Sequence, residues 1–171
     1  MGASKWGNAL NVFYDKLGLS DPIPDNPNMK WGRLLEPVII NEYNELNNVY
    51  SASVGHLIHH NNDWIIGNPD AIVFNDSGAW LKGLEIKTGS NKTYWSKMGD
   101  KNVVIPIDYL WQVRWYMLLT DLDEWDIAVL LQGVDYRQYT VYRDSAIEKE
   151  MMEVCRDFWF NCVLKKIKPI Y

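Results

Sequence analysis

Asp70, closing Gly67-Asn68-Pro69-Asp70, stands fifteen residues before Glu85-Ile86-Lys87. An acid at the start of one short extended segment and an acid-x-lysine pair near the end of the next can hold a hard divalent cation beside an ammonium group. Magnesium takes oxygen ligands at about 2.0–2.1 Å and keeps several waters, so two carboxylates, a backbone carbonyl and a substrate phosphate complete its shell. Lys87 would then stand beside the attacking water. The chemistry this set points to is metal-dependent hydrolysis of a phosphodiester. Singly, each residue has a plainer explanation: Asp after Pro forms turns, and Glu-x-Lys on an exposed strand is a solvated pair worth at most ~1 kcal/mol. Together they say more, because Leu84 and Ile86 flank Glu85 in a run that reads as core strand, where a charge needs a partner.

Positioning these groups requires a β-hairpin. Ala71-Ile72-Val73-Phe74 is a β-type run, Asn75-Asp76-Ser77-Gly78 a tight turn, and Ala79 to Leu84 a second run. Alternation along the second strand puts Glu85 and Lys87 on one face and Ile86 on the other, and folding the hairpin brings Asp70 beside Glu85. Around it the pattern predicts a helix over 4–17 with Ser4 as N-cap and Gly18 as its stop, a proline-containing loop over 20–28, and a helix over 29–46. The second helix carries Trp31, Leu34, Leu35, Val38, Ile39 and Tyr43 as an apolar stripe with Glu36 beside it, and Pro37 predicts a kink or restart there. Strands are expected at 49–59, 64–66, 70–75, 79–87, 125–132 and 136–142, a helix at 106–120, and a last helix from an Asp144 N-cap to 164. This order predicts a mixed α/β fold, a central mixed sheet flanked by helices, with the site at one sheet edge.

At 171 residues, 47% apolar, the chain can bury a core without disulfides, and a single domain over 1–171 is expected. With no long apolar run and no signal-peptide pattern, a soluble protein in the cytoplasm, or a host's cytoplasm, is expected, with no membrane partner. Cys155 and Cys162 read as free thiols in the last helix. A net charge of −5 runs against simple nucleic-acid binding. A metal site needs clustered acids, however, and bound cations reverse the local potential. Lys82, Lys87, Lys92, Lys97 and Lys101, interleaved with Tyr94 and Trp95, form a basic-aromatic stretch suited to phosphates and bases. His56, His59 and His60 with Asp63 are not expected to hold zinc, since adjacent His59 and His60 would face opposite sides of a strand. The serines lack a nucleophile-elbow context.

Pro69-Asp70 with Glu85-Ile86-Lys87 resembles the signature of the PD-(D/E)XK nucleases, and further segments resemble their YqaJ-type, lambda-exonuclease-like branch. Gly2-Ala3-Ser4 is similar to its Gly-x-Ser turn, and Gly32 to Pro37 to its G-x-x-x-E-P helix. Tyr109 to Met117 is similar to its Y-x-x-Q-h-x-x-Y-M helix, and Phe158-Trp159 followed by Pro169 to its closing pattern. The resemblance implies a restriction-endonuclease-like core, with metal ligation by Asp70, Glu85 and the Ile86 carbonyl, and Glu36 near a second ion. It implies Lys87 as the residue that orients or helps deprotonate water, Gln112 near the scissile region or Lys87, and Ser4 and Tyr116 on the DNA side. It further implies two Mg²⁺ ions, with Mn²⁺ as substitute, and linear duplex DNA as substrate. A phage-type recombination role, a single-strand annealing partner and a ring-shaped trimer follow from the same resemblance. The family's aromatic-basic stretch ahead of Gly-x-Ser has no counterpart here, which bears on end recognition and polarity. An endonuclease on the same fold, or a non-catalytic DNA-binding or inhibitor module, are the alternatives. The intact Asp70, Glu85, Lys87, Gln112 set favours catalysis.

Overall fold

The structure, a computed structural model, describes residues 7–96 and 103–170. In chain order the elements are α1 (Ala9–Lys16), α2 (Pro27–Asn47), β1 (Tyr50–Ala52), β2 (Leu57–His59), β3 (Asn62–Gly67), β4 (Ala71–Phe74) and β5 (Trp80–Gly89). A 3-10 turn at Lys92–Tyr94 follows, then α3 (Ile107–Thr120), β6 (Glu124–Leu131), β7 (Asp135–Tyr142), α4 (Ser145–Asp157) and a π-helical turn at Phe158–Val163. The chain divides into two compact units, Asp25–Arg143 and Met1–Pro24 with Asp144–Tyr171.

In the larger unit, five strands form a mixed sheet in the order β1-β4-β5-β6-β7, antiparallel throughout except for the parallel pair β5–β6. The mixed α/β class expected from the sequence is the class observed. The β4–β5 hairpin forms where expected, with Ala71 opposite Leu84. Its turn is built by Asn75, whose Oδ1 accepts from the Ser77 and Ala79 amides, and by Gly78 at φ +78°, a region that favours glycine.

Alternation gives the sheet two distinct faces. Ala71, Val73, Leu84, Ile86 and Ala128 pack with Ile39 and Tyr43 of α2. On the other face Gly83 opposes Trp125, whose ring meets Tyr116 of α3 with centroids 5.4 Å apart. α2 starts two residues earlier than the pattern suggested, because Asn26 accepts from the Asn28 and Met29 amides and Pro27 fits the first turn. It runs through Pro37 without the expected restart; Pro37 lies on the exposed side. Only part of the expected stripe is core: Ile39 and Tyr43 are buried and Leu35 packs beside them, whereas Trp31, Leu34 and Val38 are exposed.

The stretch 49–59 is not one strand. Gly55, at φ +73°, separates β1, which joins the main sheet, from β2, which pairs with β3 as a second hairpin. Nor is the site at an edge: β5, which carries Glu85 and Lys87, is the middle strand of the five.

In the smaller unit, α1 begins at an Asn8 N-cap rather than at Ser4, which lies outside the described residues. The Asn8 and Asn11 side chains accept from each other's amides at 3.1 and 3.0 Å. It stops before Gly18, at φ +67°, as expected. Ala9 and Phe13 pack with Phe158, Cys162 and Val163. The last helix has the expected Asp144 cap but ends as a π-helical segment. Cys155 and Cys162 are free. Among the described residues no helix is long and apolar enough to cross a membrane.

Candidate active site

One residue before β4 begins, the Asp70 carboxylate takes the place of a strand partner: its Oδ2 accepts from the Ile86 amide at 2.7 Å. Continuing the Ala71–Leu84 register by one step sets Asp70 opposite Glu85. Glu85 is 1% exposed, and its Oε1 accepts from the Lys87 ammonium on the same strand face, while Ile86 turns into the core on the other. α2 brings Glu36 to the same place, one turn before the buried Ile39. Glu36, Asp70, Glu85, Ile86, Lys87 and Gln112 line one pocket of about 220 Å³.

α3 holds this corner together. Gln112 donates to the Tyr116 hydroxyl at 3.2 Å, and Tyr116 donates to the Asn68 carbonyl at 3.1 Å, two residues before Asp70. Trp115 Nε1 donates to the Ile66 carbonyl at 2.9 Å. The approach is close enough to need glycine: a Cβ on Gly67 would lie 2.8 Å from the Tyr116 ring.

The pocket gathers three carboxyl groups against one ammonium. Burial pushes the Glu85 carboxyl up to about 7, with Asp70 and Glu36 adding to the shift and Lys87 opposing it. Burial likewise raises Asp70, against the Ile86 amide and Lys87, and raises Glu36, with Asp70 adding repulsion. Burial opposes charge on Lys87, but Glu85, Asp70 and Tyr109 outweigh it and hold the ammonium above its ordinary range. Glu85 Oε2 is buried with no hydrogen-bond partner among the described residues. Under-neutralised acids with a buried unpaired oxygen suit a divalent cation, whose charge would relieve both.

Other expected residues fall elsewhere. Lys82, on the α2 face of β5, pairs with buried Asp126 at 2.5 Å and so points away from Lys87. Lys92 pairs with Asp135 at 3.0 Å. Tyr94 is exposed. Trp95 is not offered to a base: it is 7% exposed and stacked between Tyr109 and Tyr139. Tyr116 is also buried and supports the site from behind. Ser4, Lys97 and Lys101 lie outside the described residues. His59 and His60 stack at 4.5 Å rather than facing opposite sides, because the ladder slips between Ile58 and His59 and the chain turns there. With Asp121 they form a surface cluster, but the His59 Nδ1 accepts from the Asn61 amide and Arg143 binds Asp121.

Two supports escaped the sequence reading. Asp126, fully buried, accepts from Tyr43 of α2 at 2.6 Å and from Thr140 at 2.6 Å, which ties down the helix that carries Glu36. Its signal was an acid inside the apolar run Trp125 to Leu131. Tyr109, one helical turn before Gln112, sets its ring 5.0 Å from the Lys87 Nζ.

Residues 1–123 match the model of the YqaJ-like viral recombinase domain. Among solved structures, the chain is similar to an alkaline exonuclease from Laribacter hongkongensis at 19% identity and TM-score 0.69, over 93% of this chain and 79% of that one. The same enzyme in complex with dAMP gives 19% identity and TM-score 0.70 over the same shares, 93% and 79%. A phage-related exonuclease from Haemophilus somnus 129PT gives 14% and 0.63, over 92% of this chain and 82% of that one. No curated protein matches the chain. At these identities the structural likeness is one of fold, a restriction-endonuclease-like core.

Proposed function

The chain belongs to the YqaJ-like viral recombinase family, and from that premise and the acid-lined pocket we propose that it is a Mg²⁺-dependent DNA exonuclease acting on linear duplex DNA. The observation that carries the metal-dependent part is the surplus of buried carboxyls over ammonium groups, with Glu85 Oε2 unpaired among the described residues. Asp70, Glu85 and the Ile86 carbonyl would hold the cation, with Glu36 serving a second. Bound divalent ions make water a stronger nucleophile and stabilise the leaving oxygen. Lys87, held as the ammonium, would orient the attacking water by donating to its oxygen. Gln112, fixed by Tyr116, lines the same pocket and would contact the scissile region. Asp70 uses Oδ2 to hold the Ile86 amide, which keeps this part of β5 beside the Asp70 carboxylate. The names of the similar solved structures, exonucleases both, support end-dependent cutting. A phage recombination role, an annealing partner and a ring trimer belong to the same proposal.

In the test, linear duplex DNA disappears only with Mg²⁺, Mn²⁺ substitutes, and covalently closed circular duplex persists. Loss of the closed circle would make the enzyme an endonuclease instead. Linear DNA untouched at high enzyme concentration with either metal would remove the nuclease reading altogether.

The raised Glu85 carboxyl predicts opposite pH trends for activity and stability. A proton on Glu85 competes with the cation, so Mg²⁺-supported cleavage rises as pH climbs past about 7. Without metal, the sign reverses. A carboxyl whose folded value exceeds its ordinary 4.5 stabilises the fold below that value, and the contribution is lost as pH rises through about 7. Thermal melts in EDTA should therefore show the Tm falling between about pH 4.5 and 7, and Glu85→Gln should flatten that fall. A wild-type Tm that climbs over this window would show that burial does not govern Glu85.

A further inference from the structure

Lys87 stands at the end of an aromatic column. Its Nζ lies 5.0 Å from the centroid of the Tyr109 ring. That ring stacks on Trp95 at 5.5 Å and 20°, and Trp95 stacks on Tyr139 at 5.5 Å and 25°. The base of the column is locked. Arg137, 5% exposed, donates to the Trp95 and Ser96 carbonyls at 2.8 and 2.9 Å and is gripped by both oxygens of Asp135. The Tyr139 hydroxyl also donates to the Ser96 carbonyl. Trp95 and Tyr139 are buried, so the column has little room to shift.

This arrangement answers a difficulty within the proposed reaction. Lys87 leans on Glu85, yet Glu85 is also the carboxylate best placed to face a divalent cation. Once its oxygens turn to that cation, the ammonium loses much of its counter-charge and meets a like charge nearby. A flexible four-carbon stem would then swing toward water. An aromatic face attracts the ammonium without competing for the cation's place, and a second acid there would not. We propose that Tyr109, backed by Trp95, is a positioning residue that seats the Lys87 ammonium on its ring while Glu85 is turned to the cation. The assignment rests on the metal-dependent reading above.

The test uses the full chain with ¹³Cε-labelled lysine. The Lys87 ε-methylene signal, identified by its absence in Lys87→Arg, should lie upfield of the other lysines because of the Tyr109 ring current. Saturating Mg²⁺ should leave it there. Tyr109→Phe should keep the upfield position, and Tyr109→Leu should lose it. On linear duplex DNA with Mg²⁺, Tyr109→Leu should lower kcat about 10-fold with KM nearly unchanged, and Phe should rescue it. A Lys87 signal at the ordinary position in the wild type, or one returned there by Mg²⁺, overturns the seat whether or not the Tyr109 variants fold. Phe failing as badly as Leu also overturns it, by assigning the effect to the hydroxyl. If the wild type leaves DNA intact while the upfield signal survives Mg²⁺, the nuclease reading fails and the seat stands.

Discussion

Glu85→Gln lowers DNA cleavage by at least about 1000-fold and leaves the protein folded. Glutamine keeps the shape and the hydrogen-bonding oxygen that Lys87 uses, but it has no negative charge to offer a cation. The fold tolerates the change because the carboxylate is a burden in the absence of metal, buried, crowded by Asp70 and Glu36, and one oxygen short of a partner. Removing one partner of a buried ion pair ordinarily costs about 3–5 kcal/mol by stranding the other. Here Asp70 and Glu36 line the same pocket, so the Lys87 ammonium is not stranded. The Tm in EDTA at pH 8 should therefore hold or rise while activity vanishes. Asp70 makes the contrast. Asp70→Ala loses both the proposed ligand and the acceptor of the Ile86 amide, the latter at about 1 kcal/mol. Asp70→Asn keeps the acceptor and loses mainly the ligand. Cleavage by Glu85→Gln within tenfold of wild type would remove Glu85 from the centre.

The second large effect falls on stability. Gly83→Ala should destabilise the fold by about 3 kcal/mol or more, read as a drop in the urea midpoint. A Cβ on Gly83 would stand 2.2–2.3 Å from three atoms of the Trp125 ring, its direct neighbour across the parallel pair. The indole cannot easily retreat. It is fully buried, and Tyr116 behind it is fastened to Asn68 and Gln112. Any relief must come from moving β5 against β6, and Glu85 lies two residues further along β5. Trp125→Leu in the same chain should recover part of the loss, since the two changes share one space. A cost below about 1 kcal/mol would mean that the ring moves aside.

What could be read from the sequence was what neighbouring residues determine. The hairpin was legible because strand alternation, an Asn-Asp-Ser-Gly turn and an acid-x-lysine pair are all local patterns. That alternation also separated Glu85 and Lys87 from Ile86 correctly. Glu36 was found from a motif, and the structure sets it in the pocket through an unbroken helix rather than through a break at Pro37. The illegible parts depend on what packs from a distance. Trp95 beside lysines reads as a base-stacking residue until Tyr139, 44 positions away, covers it. Half of the α2 stripe has helical spacing and still faces outward, because the sheet meets only the Leu35, Ile39, Tyr43 side. Asp126 and Tyr43 are 83 residues apart, and nothing short-range announces their bond.

Of the pairings in the five-stranded sheet β5–β6 is the parallel one, so the chain that leaves Gly89 must travel back along the sheet before it can re-enter at Glu124. That return passage carries Trp95, Tyr109, Gln112 and Tyr116. Glu85 and Lys87 are therefore placed by strand pairing, whereas the residues of the return passage are placed by their own fastenings, Trp95 on Tyr139 and Tyr116 on Asn68. An architecture of this kind divides the pocket between two independent supports, so that a change in the packing of α3 moves Gln112 and Tyr109 without re-registering the strand that carries Glu85 and Lys87.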